Sequence, residues 1–119
     1  MALTVAFKEN STITIGTAEY SIYDNTTTSV PLSKTDDGIF QMWIYDRGNM
    51  TKTEEYQFKV YEKTLSGSTQ KVVFVATLKG VQSETFVTPP LLLGNGWDMT
   101  AKKLAGTDRA FDLGIRQYA

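Results

Sequence analysis

Apolar and polar residues alternate with period two along most of this chain, and Gly, Asn, Asp and Ser clusters interrupt the alternation every several residues. A period of two places successive side chains on opposite faces of an extended strand. No segment sustains the three-four spacing that a helix needs to bury one stripe. That pattern constrains the fold to antiparallel sheet with one buried face. Val5 and Phe7 (with Leu3), then Ile13 and Ile15, mark two short opening strands around a turn at Lys8–Ser11. Ala18, Tyr20 and Ile22 form a further alternating set before the polar loop at 24–29, and Val30-Pro31-Leu32 reads as sheet edge because proline cannot donate a ladder bond. The residues Asp36-Asp37-Gly38 are turn chemistry, as are Asp46-Arg47-Gly48-Asn49 and Ser66-Gly67-Ser68.

Between these turns, Ile39–Tyr45 is apolar on both faces, which predicts a central strand. Tyr56, Phe58 and Val60 point inward from the next. Val72-Val73-Phe74-Val75-Ala76 is a continuous apolar run, expected to be covered on both faces. The last two arms, Trp97–Leu104 and Arg109–Gln117, flank a Gly-containing corner and predict a C-terminal hairpin. A short helix over Met99–Ala105 is the weaker alternative. The expectation is one all-β domain over residues 1–119: an antiparallel two-sheet sandwich or jelly-roll-like barrel of about eight short strands.

Chemistry is constrained by what is missing. The 119 residues include no Cys, so disulfides, thiolate metal sites and cysteine nucleophiles are excluded; they include no His, which removes the commonest general base and metal ligand. Carboxylates remain, in the pairs Asp36/Asp37, Glu54/Glu55 and Asp108/Asp112. Adjacent strand residues face opposite ways, so Glu54 and Glu55 cannot flank one substrate, and Asp36 and Asp37 belong to a turn. A calcium loop needs more alternating oxygen donors than Thr35–Gly38 or Asp46–Asn49 supplies. No catalytic, cofactor-binding or metal-binding residue is assigned, and no cofactor is expected.

The net charge of −1, with no basic cluster, argues against nucleic acid as a partner. The N-terminal residues carry no basic-then-apolar leader, and the longest uncharged apolar stretch, around Phe86 to Leu93, is too short to span a bilayer. The expectation is synthesis in a host cytoplasm with no membrane partner. The triplets at Asn10, Asn25 and Asn49 read as turn composition rather than glycan sites. Most of the aromatic residues lie on faces that also carry Ile, Val and Leu, which points to core packing. Tyr45, Tyr61 and Tyr118 are the candidates for exposure.

Three consecutive leucines after two prolines do not fit a half-buried strand. Phe86, Pro89, Pro90, Leu91, Leu92, Leu93 and Trp97 are therefore read either as a covered crossing between sheets or as an apolar patch that meets another subunit, and they form the candidate interface.

Several stretches together resemble small phage virion structural proteins encoded among head and tail genes. These are Thr35-Asp36-Asp37-Gly38 before an aromatic strand, Val60-Tyr61-Glu62-Lys63, and above all Gly96-Trp97-Asp98-Met99-Thr100 through Gly106-Thr107-Asp108-Arg109 to Ile115-Arg116. The resemblance covers about two-thirds of the chain and carries over no functional residue. It implies a non-enzymatic virion protein of the capsid decoration (cement) type, bound to the major capsid protein on the outside of the head as a homotrimer. A tail component, or a stand-alone β-sandwich module for carbohydrate or protein, is the alternative.

Overall fold

The structure is a computed structural model that describes residues 5–28, 31–47 and 50–118. Leu3, Ser29, Val30, Gly48 and Asn49, used above to place strands, loops and turns, lie outside the described residues. The described residues form ten strands: β1 (Val5–Ile15), β2 (Tyr20–Ser21), β3 (Thr26–Thr27), β4 (Gly38–Asp46), β5 (Glu55–Glu62), β6 (Lys71–Lys79), β7 (Phe86–Val87), β8 (Leu91–Leu93), β9 (Asp98–Ala105) and β10 (Arg109–Tyr118). They form two antiparallel five-stranded sheets packed as a sandwich. The first runs β1-β10-β4-β7, with β8 also paired to β4; the second runs β3-β2-β9-β5-β6.

The alternation works as expected where it is cleanest. Phe40, Met42 and Ile44 of β4, Tyr56, Phe58 and Val60 of β5, and Phe111, Leu113 and Ile115 of β10 are all buried between the sheets. Phe111 joins the two layers, its ring 4.8 Å from that of Tyr56 and 5.5 Å from that of Phe58 in edge-to-face contacts.

Four expectations are corrected. The two opening strands are one eleven-residue strand, because a β-bulge between Phe7 and Glu9 absorbs the polar stretch that reads as a turn. The last two arms are strands but not a hairpin. Asp98–Ala105 pairs with β5 and β2 in one sheet, Arg109–Tyr118 with β1 and β4 in the other, so the Gly106 corner crosses between layers. The run Val72–Ala76 is not covered on both faces. It belongs to β6, an edge strand on which Val72, Val73 and Val75 are exposed. Finally, the three leucines do alternate: Leu93 is buried, Leu91 packs against the core, and Leu92 is 80% exposed.

Proline explains the last point. β7 and β8 are two pieces of one edge, both paired with β4 and separated by Pro89 and Pro90, which have no N–H to donate. Thr88 bridges the gap. Its Oγ1 accepts from Met42 N at 3.0 Å, its own N–H donates to Met42 O at 3.0 Å, and its carbonyl accepts from Gln41 Nε2 at 2.8 Å.

Candidate functional site

Most of the residues that carry the resemblance to virion proteins are scaffold. Trp97 is fully buried; its ring centroid lies 4.6 Å from that of Phe40 and 5.4 Å from that of Tyr23, and its Nε1 donates to Asp36 O at 2.7 Å. The Asp98 carboxylate, also buried, accepts from Ser21 Oγ, Leu32 N and Met99 N, each at 2.9 Å, while burial pushes its carboxyl pKa up. Thr100 Oγ1 and Tyr61 O–H both donate to Glu19 Oε2, and burial with that carboxylate pushes the Tyr61 phenol up to about 12.

Arg109 reaches across the sandwich to Glu54, whose carboxylate also accepts from Thr51 N at 2.7 Å and Thr107 N at 2.9 Å. The Arg109 hydrogen bonds, ahead of opposing burial, hold the Glu54 carboxyl down at about 2. Asp36 is taken up similarly: Tyr23 O–H donates to it at 2.5 Å and Lys8 pairs with it at 3.5 Å, and the tyrosine bond keeps its pKa low. Asp108 pairs with Lys103, and Asp112 with Arg47 and Thr12. Each carboxylate pair noted in the sequence thus has a member committed to a structural contact. Among the described residues no group of three or more acidic side chains is arranged to hold a metal ion.

Among the described residues the outer face of the first sheet is open and partly apolar. Residues directly opposite in an antiparallel pair point to the same side. The register therefore lines up Leu92 of β8, Ile39 of β4, Tyr118 of β10 and Val5 of β1 in one row across four strands. The next row holds Gln41, Arg116 and Phe7; the next, Val87, Trp43 and Gly114; and beyond it Tyr45, Asp112 and Thr12. Leu92, Ile39, Val5, Phe7 and Tyr45 are exposed. Pro90 joins Ile39, Gln41 and Tyr118 around a shallow hollow at one end.

At the other end Gly114, without a side chain, leaves a groove of about 330 Å³ lined by Phe7, Trp43, Tyr45, Asp112 and Arg116. Phe7 is 57% and Tyr45 48% exposed. The Arg116 guanidinium lies over the Trp43 ring, 3.6 Å from its centroid, and 5.0 Å from that of Phe7.

The candidate interface is thus divided by the fold. Pro89, Pro90 and Leu92 are on the outside, with Pro90 and Leu92 at one end of this face. Phe86 and Leu91 are partly buried against the core, Leu93 is in it, and Trp97 offers no surface at all. Sequence reasoning passed over Phe7, Trp43 and Arg116. The signal was present in β4, whose second apolar face reads as the mark of a strand with neighbours on both sides. β4 does have them, but nothing within the described residues covers that face of the sheet.

No family model matches the chain, and no curated protein matches it in sequence. Solved structures do resemble it in shape. A crystal structure of PirA aligns over 92% of this chain and 93% of its own with a TM-score of 0.52 and 14% identity. The K1 cleaved adhesin domain of Lys-gingipain from Porphyromonas gingivalis W83 aligns over 100% of this chain and 98% of its own, with a TM-score of 0.47 and 10% identity. A chain from the structure of infectious bursal disease virus Gx strain aligns over 98% of this chain at a TM-score of 0.45 and 8% identity, and this chain spans 31% of it. At 14% identity the likeness to PirA is one of fold: a two-sheet antiparallel sandwich.

Proposed function

We propose that this chain is a non-enzymatic structural protein of a phage virion, a capsid decoration protein that attaches to the outside of the head through the outer face of its first sheet. The observation that carries the attachment reading is the row Leu92–Ile39–Tyr118–Val5, continuous over four strands and open to solvent at three of its four members. A contiguous apolar face on a small domain marks a contact surface, whereas scattered apolar residues do not. Placement in a virion rests on the resemblance carried by the Trp97–Thr100, Gly106–Arg109 and Ile115-Arg116 motifs. The partners are then the major capsid protein and further copies of the chain, as a homotrimer. A non-enzymatic role agrees with the absence of His and Cys and with carboxylates spent on Arg109, Tyr23, Lys103 and Arg47. Mass spectrometry of purified particles is expected to recover the chain in stoichiometric amount; recovery from host lysate alone would sink the reading.

A second reading has its own observation. Phe7 and Tyr45 are two exposed aromatic residues on one groove, the arrangement by which a stand-alone module holds a sugar ring. Glycan-array binding that disappears in Tyr45→Ala, with the fold intact, would favour it.

A further inference from the structure

We infer that Arg116 is the anchor of this docking face and that it receives an acidic side chain, Asp or Glu, from the capsid protein. The inference rests on the virion reading above and names the chemistry of its contact. Among the described residues the Arg116 side chain makes no ion pair and no hydrogen bond; its neighbours are the rings of Trp43 and Phe7. Its Nε is buried without an acceptor, so the Nη end is the part that a partner can reach from the groove.

Asp112, on the same face of β10, does not neutralise it, because that carboxylate is held by Thr12 Oγ1 at 2.6 Å and Arg47 at 3.5 Å. The result is a planar cation whose rotamer freedom has already been given up to stacking and whose charge is uncompensated. Such a guanidinium matches a carboxylate with two parallel hydrogen bonds and loses little further entropy on binding.

Two observations favour a protein carboxylate over a sugar. The guanidinium at 3.6 Å already occupies a face of the Trp43 ring, so that face is not available to stack on a pyranose. The groove also opens onto the flat apolar rows of a slab 39 × 36 × 20 Å in extent, which is broad enough for the roughly 800 Å² that each partner contributes to a standard interface. Arg, Trp and Tyr at the edge of an apolar face are the residue types that carry most of the energy in such contacts.

The test uses heads assembled without this chain, to which purified chain is added and cosedimented. Wild-type protein is expected to bind. R116Q is expected to bind about 30-fold more weakly or worse, and R116K about tenfold more weakly because a point charge cannot reproduce the paired hydrogen bonds. Circular dichroism should show both variants folded, since Arg116 stacks on Trp43 and Phe7 but holds no side-chain hydrogen bond or ion pair in the fold. Neutralising exposed acidic residues of the capsid protein one at a time should find one whose loss weakens wild-type chain but not R116Q. Equal binding by wild type and R116Q overturns this inference and leaves the virion reading standing. Failure of wild type to bind heads overturns both. Binding of a uronic-acid glycan that is lost in R116Q, while head binding is unchanged, also overturns the inference.

Discussion

Glu54 and Arg109 join the two sheets at one corner of the sandwich: the Arg109 Nε–H is shared between both oxygens of a buried carboxylate, at 2.9 and 2.8 Å. Glu54 stands just before β5 in one sheet and Arg109 opens β10 in the other. The pair therefore clasps the point where the chain crosses between layers.

This pair sets a pH dependence. The Glu54 carboxyl is lowered from 4.5 to about 2, so its contribution is complete above 4.5 and is lost as pH falls through about 2. Glu54→Gln is expected to lower the urea midpoint at neutral pH. The gap between wild type and variant should close between about pH 5 and about pH 2. A gap that stays constant over that window would show that the carboxylate charge is not what matters.

The candidate interface supplies a contrast. Trp97→Ala removes a fully buried indole and its hydrogen bond to Asp36, and is expected to cost about 3–5 kcal/mol. Leu92→Asp changes a residue that is 80% exposed and should stay within about 0.5 kcal/mol of wild type while weakening attachment to heads. Chemical denaturation of both variants checks the ordering; equal losses would mean that Leu92 is core.

Gly106 turns the chain between the sheets with φ at +96°, and a Cβ placed there would clash with Glu54 Cγ and crowd its Cβ. Gly106→Ala is expected to cost about 1–3 kcal/mol from backbone strain alone, with a further loss from displacing Glu54 off Arg109. A melt of Gly106→Ala in the Glu54→Gln background should show a smaller increment than in wild type.

The β6 edge predicts a solubility effect. Val73 has no partner in β5 because of the bulge opposite Val60 and Tyr61, and it and Val75 are about half exposed on an uncovered strand with lysines at its ends. Val75→Lys is expected to change stability by less than about 0.5 kcal/mol and to reduce aggregation during thermal challenge, followed by light scattering. A large loss of stability would mean that this edge is packed.

The alternation along Phe40–Ile44, Tyr56–Val60 and Phe111–Ile115 determined by itself that the chain is an antiparallel β fold, a sandwich or a jelly-roll-like barrel, and which of these side chains fill its core. A period of two forces those residues onto one face whatever the partners are. The absence of His and Cys removes the commonest general base, metal ligand and thiol nucleophile and leaves surfaces as the sites to propose. Only the tertiary structure decided which surfaces. The apolar run Val72–Ala76 reads as buried and Leu91–Leu93 as either a covered crossing or an open patch, but the first lies on an open edge and the second splits around Leu92, because pairing partners and prolines set exposure and local composition does not. Trp97 and Arg116, close in the motif that carries the resemblance, end on opposite sides of a sheet: one locks the core against Asp36, the other rests on Trp43 facing outward. Arg116 faces outward because it alternates with the buried Leu113 and Ile115 along β10, and the crossing at Gly106 puts that strand in the first sheet and not beside β9.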